Sequence, residues 1–152
     1  MKISAGVLPY KIDNNQLMVY LERPGGPYMQ NKDLWSICKG EYQDEPAIDA
    51  AYREFMEESG LKIDKDKLVF LTSVKMESTN KLVSVFIINC DLDPTKMKSN
   101  TFKKEWPAGS GKICEFPEMA EGKWFLIADA KNKIFKGQIK ILEKLEEYIW
   151  NR

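Results

Sequence analysis

The chain has 152 residues, with 23 basic and 23 acidic side chains and therefore a formal net charge of zero. This length predicts one domain over residues 1–152, and the lack of a basic excess argues against long nucleic acid or an anionic membrane as an obligatory partner. Three cysteines without a C-x-x-C pair, and the absence of about 18 consecutive apolar residues, predict a cytoplasmic protein without a membrane span.

The first part of the chain predicts a β-hairpin followed by a loop. Segments 3–12 and 16–23 are rich in aliphatic and aromatic residues and flank a polar Asp-Asn-Asn turn. A Gly- and Pro-rich loop follows over 23–33, and a short apolar segment over 34–38 then leads to Gly40.

A helix is predicted over residues 46–59. Pro46 suits the first helical turn, and Gly60 suits the left-handed position that commonly follows the last one. Apolar residues recur at the spacing of one buried helix face, which puts Glu58 near the edge of that face. The residues predicted to be buried are Ile48, Ala51, Tyr52 and Phe55.

The second half of the chain predicts three more strands and two helices. A long connection rich in charge, Gly and Pro separates the strands, and such connections tend to be functional or mobile. The predicted elements are strands at 67–76 and 81–92, the irregular connection at 91–122, a strand at 123–127, a short helix at 128–134 and a terminal helix at 138–150. The terminal helix is predicted to bury Ile141, Leu142, Leu145, Tyr148 and Ile149.

Three glutamates crowd the end of the first predicted helix. Glu54, Glu57 and Glu58 are three and four residues apart, a spacing at which like charges repel by roughly a few tenths of a kcal/mol per pair. Negative charge near a helix C-terminus also opposes the helix macrodipole. A divalent cation would offset this repulsion, and because the chain has no histidine, Mg²⁺ or Mn²⁺ is the expected metal. The alternative is a solvated acidic face without a ligand.

The spacing of residues around these glutamates resembles the sequence pattern of a known protein family. Glu45 is followed after seven residues by REFMEESGL, residues 53–61, and this pattern resembles the Nudix box, G-x5-E-x7-R-E-U-x-E-E-x-G-U with U apolar. Every specified position from Glu45 onward matches. The loop is one residue shorter than the pattern, because only four residues separate Gly40 from Glu45. Flanking segments resemble bacterial NTP pyrophosphohydrolases of the same family, with Cys38, a presumed small buried hydrophobe, in place of the usual proline.

The resemblance implies an α/β fold, the Nudix-type α/β/α sandwich with a mixed β-sheet. It implies that Glu57 and Glu58 bind the catalytic Mg²⁺ or Mn²⁺, and that Glu54 is either a further ligand or the base that activates water. It also implies that Arg53 pairs with Glu45, which we interpret as a rigid bidentate brace between loop and helix. A backbone carbonyl is implied to add one more metal ligand, from Lys39 or Gly40.

Residues outside the box are less specific candidates. Glu105 in the long connection is the preferred extra metal ligand or base, with Glu118 as the alternative. Lys32 and Lys39 flank the strand that leads into the box and could meet phosphates, although solvated lysines are the alternative in this lysine-rich chain. Aromatic residues in predicted loops could stack on a base or simply pack on the surface. They are Tyr28, Tyr42, Phe102 and Trp106.

Taken together, these features predict an enzyme that splits the diphosphate bridge of a nucleoside diphosphate linked to another moiety, with the divalent ion activating water. The alternatives are a silent Nudix-fold module that binds a nucleotide and a scaffold that only buffers metal. The KGEY loop favours dinucleoside polyphosphates or 5′-triphosphorylated RNA ends as substrates, and nucleoside triphosphates and nucleotide sugars stay open.

Overall fold

The computed structural model describes residues 1–151. Its strands are β1 (Lys2–Asp13), β2 (Gln16–Pro24), β3 (Cys38–Glu41), β4 (Val69–Met76), β5 (Lys81–Asn89), β6 (Thr101–Glu105), β7 (Ile113–Pro117) and β8 (Met119–Leu126). Its α-helices are α1 (Ala47–Ser59), α2 (Ile127–Lys133) and α3 (Ile139–Trp150). Short 3₁₀ turns lie at Lys65–Lys67, Pro94–Lys96 and Lys136–Gln138.

Strand β1 organises the main sheet, whose order is β4-β5-β1-β2-β8 with β3 paired to β1. β1 runs parallel to β5 along one side and antiparallel to its other partners, so the sheet is mixed. Its other side is divided, because residues 4–7 pair with β3 and residues 10–13 pair with β2. This division places β3, and the loop that follows it, beside the start of β1.

Two apolar clusters lie on opposite faces of this sheet. Alternating residues of β1 and β5 supply both clusters, as strand geometry requires. Helix α1 covers one face with Ala51 and Phe55, and helix α3 covers the other with Ile141, Leu142 and Leu145. The predicted α/β/α sandwich with a mixed sheet is therefore confirmed. No helix within residues 1–151 is both long and apolar enough to cross a membrane.

Local signals place helix α1 almost where the pattern predicts it. Pro46 is the N-cap residue, so the helix begins at Ala47, one position after the predicted start, and Gly60 is left-handed with φ 64°. The buried face is rotated slightly from the predicted one: Ala50 and Ser59 are fully buried, whereas Ile48 and Tyr52 are only partly buried. The rotation moves the glutamates of the last turn closer to the interior.

The prediction that residues 91–122 form one irregular connection is wrong. Strands β6 and β7 form a separate two-stranded hairpin there, and β8 begins at Met119, four residues before the predicted strand. Most hairpin side chains are exposed, so their alternation of apolar and polar residues does not mark a core strand. The hairpin packs instead on the 24–30 loop, where Phe102 lies against Gly26.

Candidate functional site

The three crowded glutamates at the end of helix α1, Glu54, Glu57 and Glu58, line one cleft. This acidic cleft has a volume of ≈ 410 Å³. The last turn of α1 contains no basic residue that would balance the negative charge. Ser59 is buried and its hydroxyl donates to the Phe55 carbonyl at 2.6 Å, which holds the last turn tightly. The cleft is lined by Lys39, Gly40, Glu41, Glu54, Glu57, Glu58, Asn100, Thr101 and Glu118.

Glu58 is the most confined carboxyl of the cleft. Its Oε1 is buried and has no hydrogen-bond partner, and burial is the main reason why its pKa is raised to about 9. Repulsion from Glu22 and then from Glu54 adds to this effect, while a hydrogen bond from the Lys39 backbone N–H opposes it. Burial also raises the pKa of Glu54. Such orphaned oxygens cost free energy unless a cation or donor approaches them.

The β3 segment closes the cleft from the opposite side. Gly40 lies so near Glu54 that a Cβ at this position would overlap the Glu54 carboxylate. The Lys39 side chain is half-buried, and burial lowers the pKa of its amine, with repulsion from Lys81 as the next cause. An amine held in this way is positioned for anionic oxygens that enter the cleft.

Arg53 joins the loop before α1 to the acidic turn. Its Nη2 donates to Glu45 Oε1 at 2.5 Å, while its Nη1 donates to Glu54 Oε1 at 2.9 Å and to Glu57 Oε1 at 3.4 Å. These carboxylates raise the pKa of the guanidinium, with the Glu45 hydrogen bond as the largest cause. The brace differs from the bidentate pair expected from sequence, because the guanidinium fork is shared among three carboxylates.

The donor set of the cleft fits a hard divalent cation. All its charged oxygens are carboxylates, the type of ligand that Mg²⁺ and Mn²⁺ prefer, and Glu58 Oε1 lacks a protein partner. Within residues 1–151, no three acidic or cysteine side chains are already arranged tightly enough to form a complete metal site. The residues that could hold an ion are Glu54, Glu57, Glu58 and Glu118, with the backbone of Lys39 or Gly40.

The structure does not bring every candidate into the cleft. Glu105 points to the hairpin turn, where its Oε1 accepts the Gly109 N–H at 2.7 Å, whereas Glu118 lines the cleft. Tyr28 and Trp106 stack edge to face at 5.1 Å at the far end of the hairpin. Lys32 is exposed in the 24–33 loop.

Sequence reasoning missed Glu22, Asn100 and Thr101. Asn100 and Thr101 line the cleft because the β6–β7 hairpin was not predicted. Glu22 is fully buried on β2, and burial raises its pKa to about 7. A charged residue within the apolar run of a predicted core strand was the available signal.

A second cavity of ≈ 380 Å³ adjoins the acidic cleft and shares Lys39 and Glu58 with it. Its apolar wall contains Met76, Met119 and Phe135. Gln138 ties this wall together, because its Oε1 accepts the Ile37 N–H at 3.0 Å and its Nε2 donates to Ser36 Oγ at 2.9 Å. The two cavities therefore form one continuous surface that is acidic at one end and apolar at the other.

Residues 2–145 match the family model of the NUDIX domain. The match spans most of the chain, so the protein belongs to the Nudix family. It is a Nudix pyrophosphohydrolase, an enzyme that hydrolyses diphosphate linkages in nucleotides. A comparison with curated proteins finds no significant match.

Solved structures share the fold at low sequence identity. A Caenorhabditis elegans Ap4A hydrolase in a binary complex matches with a TM-score of 0.63 and 18% identity, covering 100% of both chains. The NUDIX domain of Shewanella oneidensis NrtR, complexed with ADP ribose, matches with a TM-score of 0.66 and 12% identity, covering 97% of this chain and 87% of that one. A NUDIX hydrolase from Nitrosomonas europaea matches with a TM-score of 0.60 and 20% identity, covering 99% of this chain and 71% of that one. These TM-scores show a common fold.

The Arg53 brace predicts the effect of Glu45→Gln. Removing this charge weakens the anchor of the 41–45 loop, so we expect turnover to fall by ~10- to 100-fold, as for other residues that orient metal ligands. Stability should change by less than ~1 kcal/mol, because the pair is partly solvated. Thermal melts and turnover measure both effects. Asp49→Asn, which removes the ion pair between helix α1 and Lys65, is the control and should keep parental turnover. An unfolded Glu45→Gln protein would make the pair structural.

Proposed function

We propose that this protein uses Mg²⁺ or Mn²⁺ to hydrolyse the diphosphate bridge of a nucleotide linked to another moiety. The observation that carries this proposal is the acidic cleft, which is lined by five glutamates, one of which, Glu58, has a buried carboxylate oxygen without a partner. When bound, the ion supplies positive charge that activates water and neutralises the diphosphate oxygens. The free thiols of Cys38, Cys90 and Cys114 fit the proposed cytoplasmic location.

Each residue of the cleft has a role in this proposal. Glu57 and Glu58 hold the ion, and Glu118 approaches it from the opposite wall. Glu54 removes the proton from the attacking water, a task for which its raised pKa makes it a better base than an exposed glutamate. Lys39 contacts the phosphate oxygens.

The adjoining cavity suggests how the rest of the substrate binds. Phe135, Met76 and Met119 offer an apolar wall for a nucleobase next to Lys39, which faces the diphosphate. Ap4A and ADP ribose, named with two structural neighbours, both contain an internal phosphate bridge. We therefore place dinucleoside polyphosphates first among the substrates, ahead of nucleoside triphosphates and 5′-triphosphorylated RNA ends. The zero net charge gives no general attraction for long RNA.

A substrate panel tests this proposal. The purified protein is incubated with Mg²⁺ or Mn²⁺ and dinucleoside polyphosphates, nucleoside triphosphates, nucleotide sugars and 5′-triphosphorylated oligonucleotides, and the products are identified. We expect one class to be cleaved at the diphosphate bridge, with activity lost after chelation and restored by the metal. Activity should rise through mildly alkaline pH, because carboxyls with raised pKa values must ionise to bind the ion. Full activity after exhaustive chelation would contradict the proposal, and nucleotide binding without turnover would indicate a silent module.

A further inference from the structure

Glu22 is a buried carboxyl that the proposed mechanism leaves without a role. It lies on β2 with a relative exposure of 0%. Its Oε2 accepts a hydrogen bond from the Tyr20 hydroxyl at 2.5 Å, whereas its Oε1 is buried without a hydrogen-bond partner. Burying an unpaired carboxylate oxygen costs free energy, so a purely structural role in the core does not explain why a glutamate occupies this position.

The surrounding sheet is built to hold this carboxyl in place. The backbone of Glu22 exchanges two hydrogen bonds with Ser36, at 2.9 and 2.8 Å. Gly122 faces Glu22 on β8, and a Cβ at Gly122 would overlap the Tyr20 hydroxyl. The absence of a side chain at Gly122 therefore makes room for the phenol that orients Glu22. Because Tyr20 occupies one carboxylate oxygen, the other is left free to act elsewhere.

Glu22 lies on the face of the sheet that α1 covers, because it is two residues beyond Tyr20 on β2, and Tyr20 packs edge to face on Phe55 of α1 with ring centroids 6.3 Å apart. Two residues after Ser36, the backbone partner of Glu22, the buried thiol of Cys38 lies beside the Glu22 carboxyl. Two buried side-chain polar atoms lack a partner within residues 1–151, Glu22 Oε1 and Glu58 Oε1. Glu58 follows Phe55 by three residues, almost one turn, on α1, so its unpaired oxygen and that of Glu22 lie on the same side of the sheet.

We propose that Glu22 is a further ligand of the divalent ion held by Glu58, reaching it through Oε1 directly or through one water. An ion between the two unpaired oxygens satisfies both and cancels their repulsion. Tyr20 acts as a positioning residue that fixes the carboxylate from behind. The metal centre then joins strand β2 to helix α1, instead of depending on the helix and the loop alone. This assignment rests on the proposed metal dependence.

The variant Glu22→Gln tests the assignment without using turnover. Glutamine keeps the shape and can still accept the Tyr20 hydroxyl, but it removes the charge. We expect Mg²⁺ and Mn²⁺ affinity, measured by calorimetry and by Mn²⁺ paramagnetic resonance without substrate, to fall at least ~10-fold. The ion-free variant should melt at the parental temperature or higher, because the substitution removes a buried charge that repels Glu58. The matched control is Glu121→Gln, which removes an exposed carboxylate from β8 and should keep parental affinity.

Parental metal affinity in Glu22→Gln would overturn the assignment and make Glu22 a buried neutral acid. Crystals of the unmodified protein soaked in Mn²⁺ provide a test that does not depend on the variant folding. The expected anomalous peak lies next to Glu58, with Glu22 Oε1 bound to the ion or to one of its waters. An ion without either contact would also overturn the assignment. A parent that binds neither metal would overturn the proposed function as well, so the two failures are distinguishable.

Discussion

Glu58→Gln is expected to lower turnover by about 10³-fold or more, while the ion-free protein stays folded. Misplacing the ion removes several kcal/mol of transition-state stabilisation, and each ~1.4 kcal/mol corresponds to a factor of ten. Glu57→Gln should also abolish most turnover, with little effect on stability because Glu57 is 41% exposed in its side chain. Turnover on the substrate found by the panel, and thermal melts with and without Mg²⁺, measure these effects.

The control for Glu58→Gln is Glu143→Gln, on the exposed face of α3, which should keep both parental turnover and the shift of the melting temperature caused by Mg²⁺. A solvated acidic face predicts the opposite pattern for the helix α1 variants. Parental activity in both Glu57→Gln and Glu58→Gln would contradict the proposed metal site.

The stability of the ion-free protein should depend on pH in a direction that follows from Glu58. Burial raises its folded-state pKa to about 9 from an ordinary value of 4.5, so the folded chain binds more protons than the unfolded chain between these values. Stability therefore falls as pH rises across this window. Glu22, with a pKa raised to about 7, acts in the same direction. Glu58→Gln should flatten the dependence in melts recorded with a chelator, and stability that rises with pH in the parent would contradict this account.

Gly40→Ala is the second variant with a large expected effect, a loss of turnover of at least ~100-fold with the fold preserved. The added Cβ would overlap the Glu54 carboxylate, which sits at the end of a flexible side chain and can be displaced without unfolding the protein. Displacing it moves the proposed base away from the attacking water, and misplacements of about 1 Å can cost ~10²-fold. Turnover and thermal melts of the variant are the measurements.

Gly109→Ala provides a contrasting control for Gly40→Ala. Gly109 has φ +80° in the hairpin turn, and a Cβ there would have no neighbour within 4 Å. An alanine at this position is strained by ~1–2 kcal/mol, so stability should fall while turnover is kept. Loss of stability with parental turnover in Gly40→Ala would show that Glu54 tolerates the displacement and is not the base.

The helix and its acidic turn could be predicted from sequence because their determinants are local. Pro46 and Gly60 mark the helix ends, and the i, i+3 and i, i+4 spacing brings the glutamates together in any helix. The cover of the sheet by α1 and α3 follows from apolar periodicity in the same way. The sequence analysis preferred Glu105 to Glu118, whereas Glu118 lines the cleft, because the position of both depends on which end of an unpredicted hairpin faces the helix.

The sequence by itself therefore determined the residues of the acidic turn, since these follow from contacts between neighbours in the chain, while the fold class and the family followed from the resemblance of its spacing to the Nudix box. Only the tertiary structure decided which distant residues meet that turn. Glu118 reaches it because β7 ends beside the cleft, and Glu22 lies on the sheet face covered by α1 because it follows Tyr20, which packs on Phe55. Strand pairing joins residues that are far apart in sequence, and the burial that raises the pKa of Glu58 exists only once those strands have closed around it.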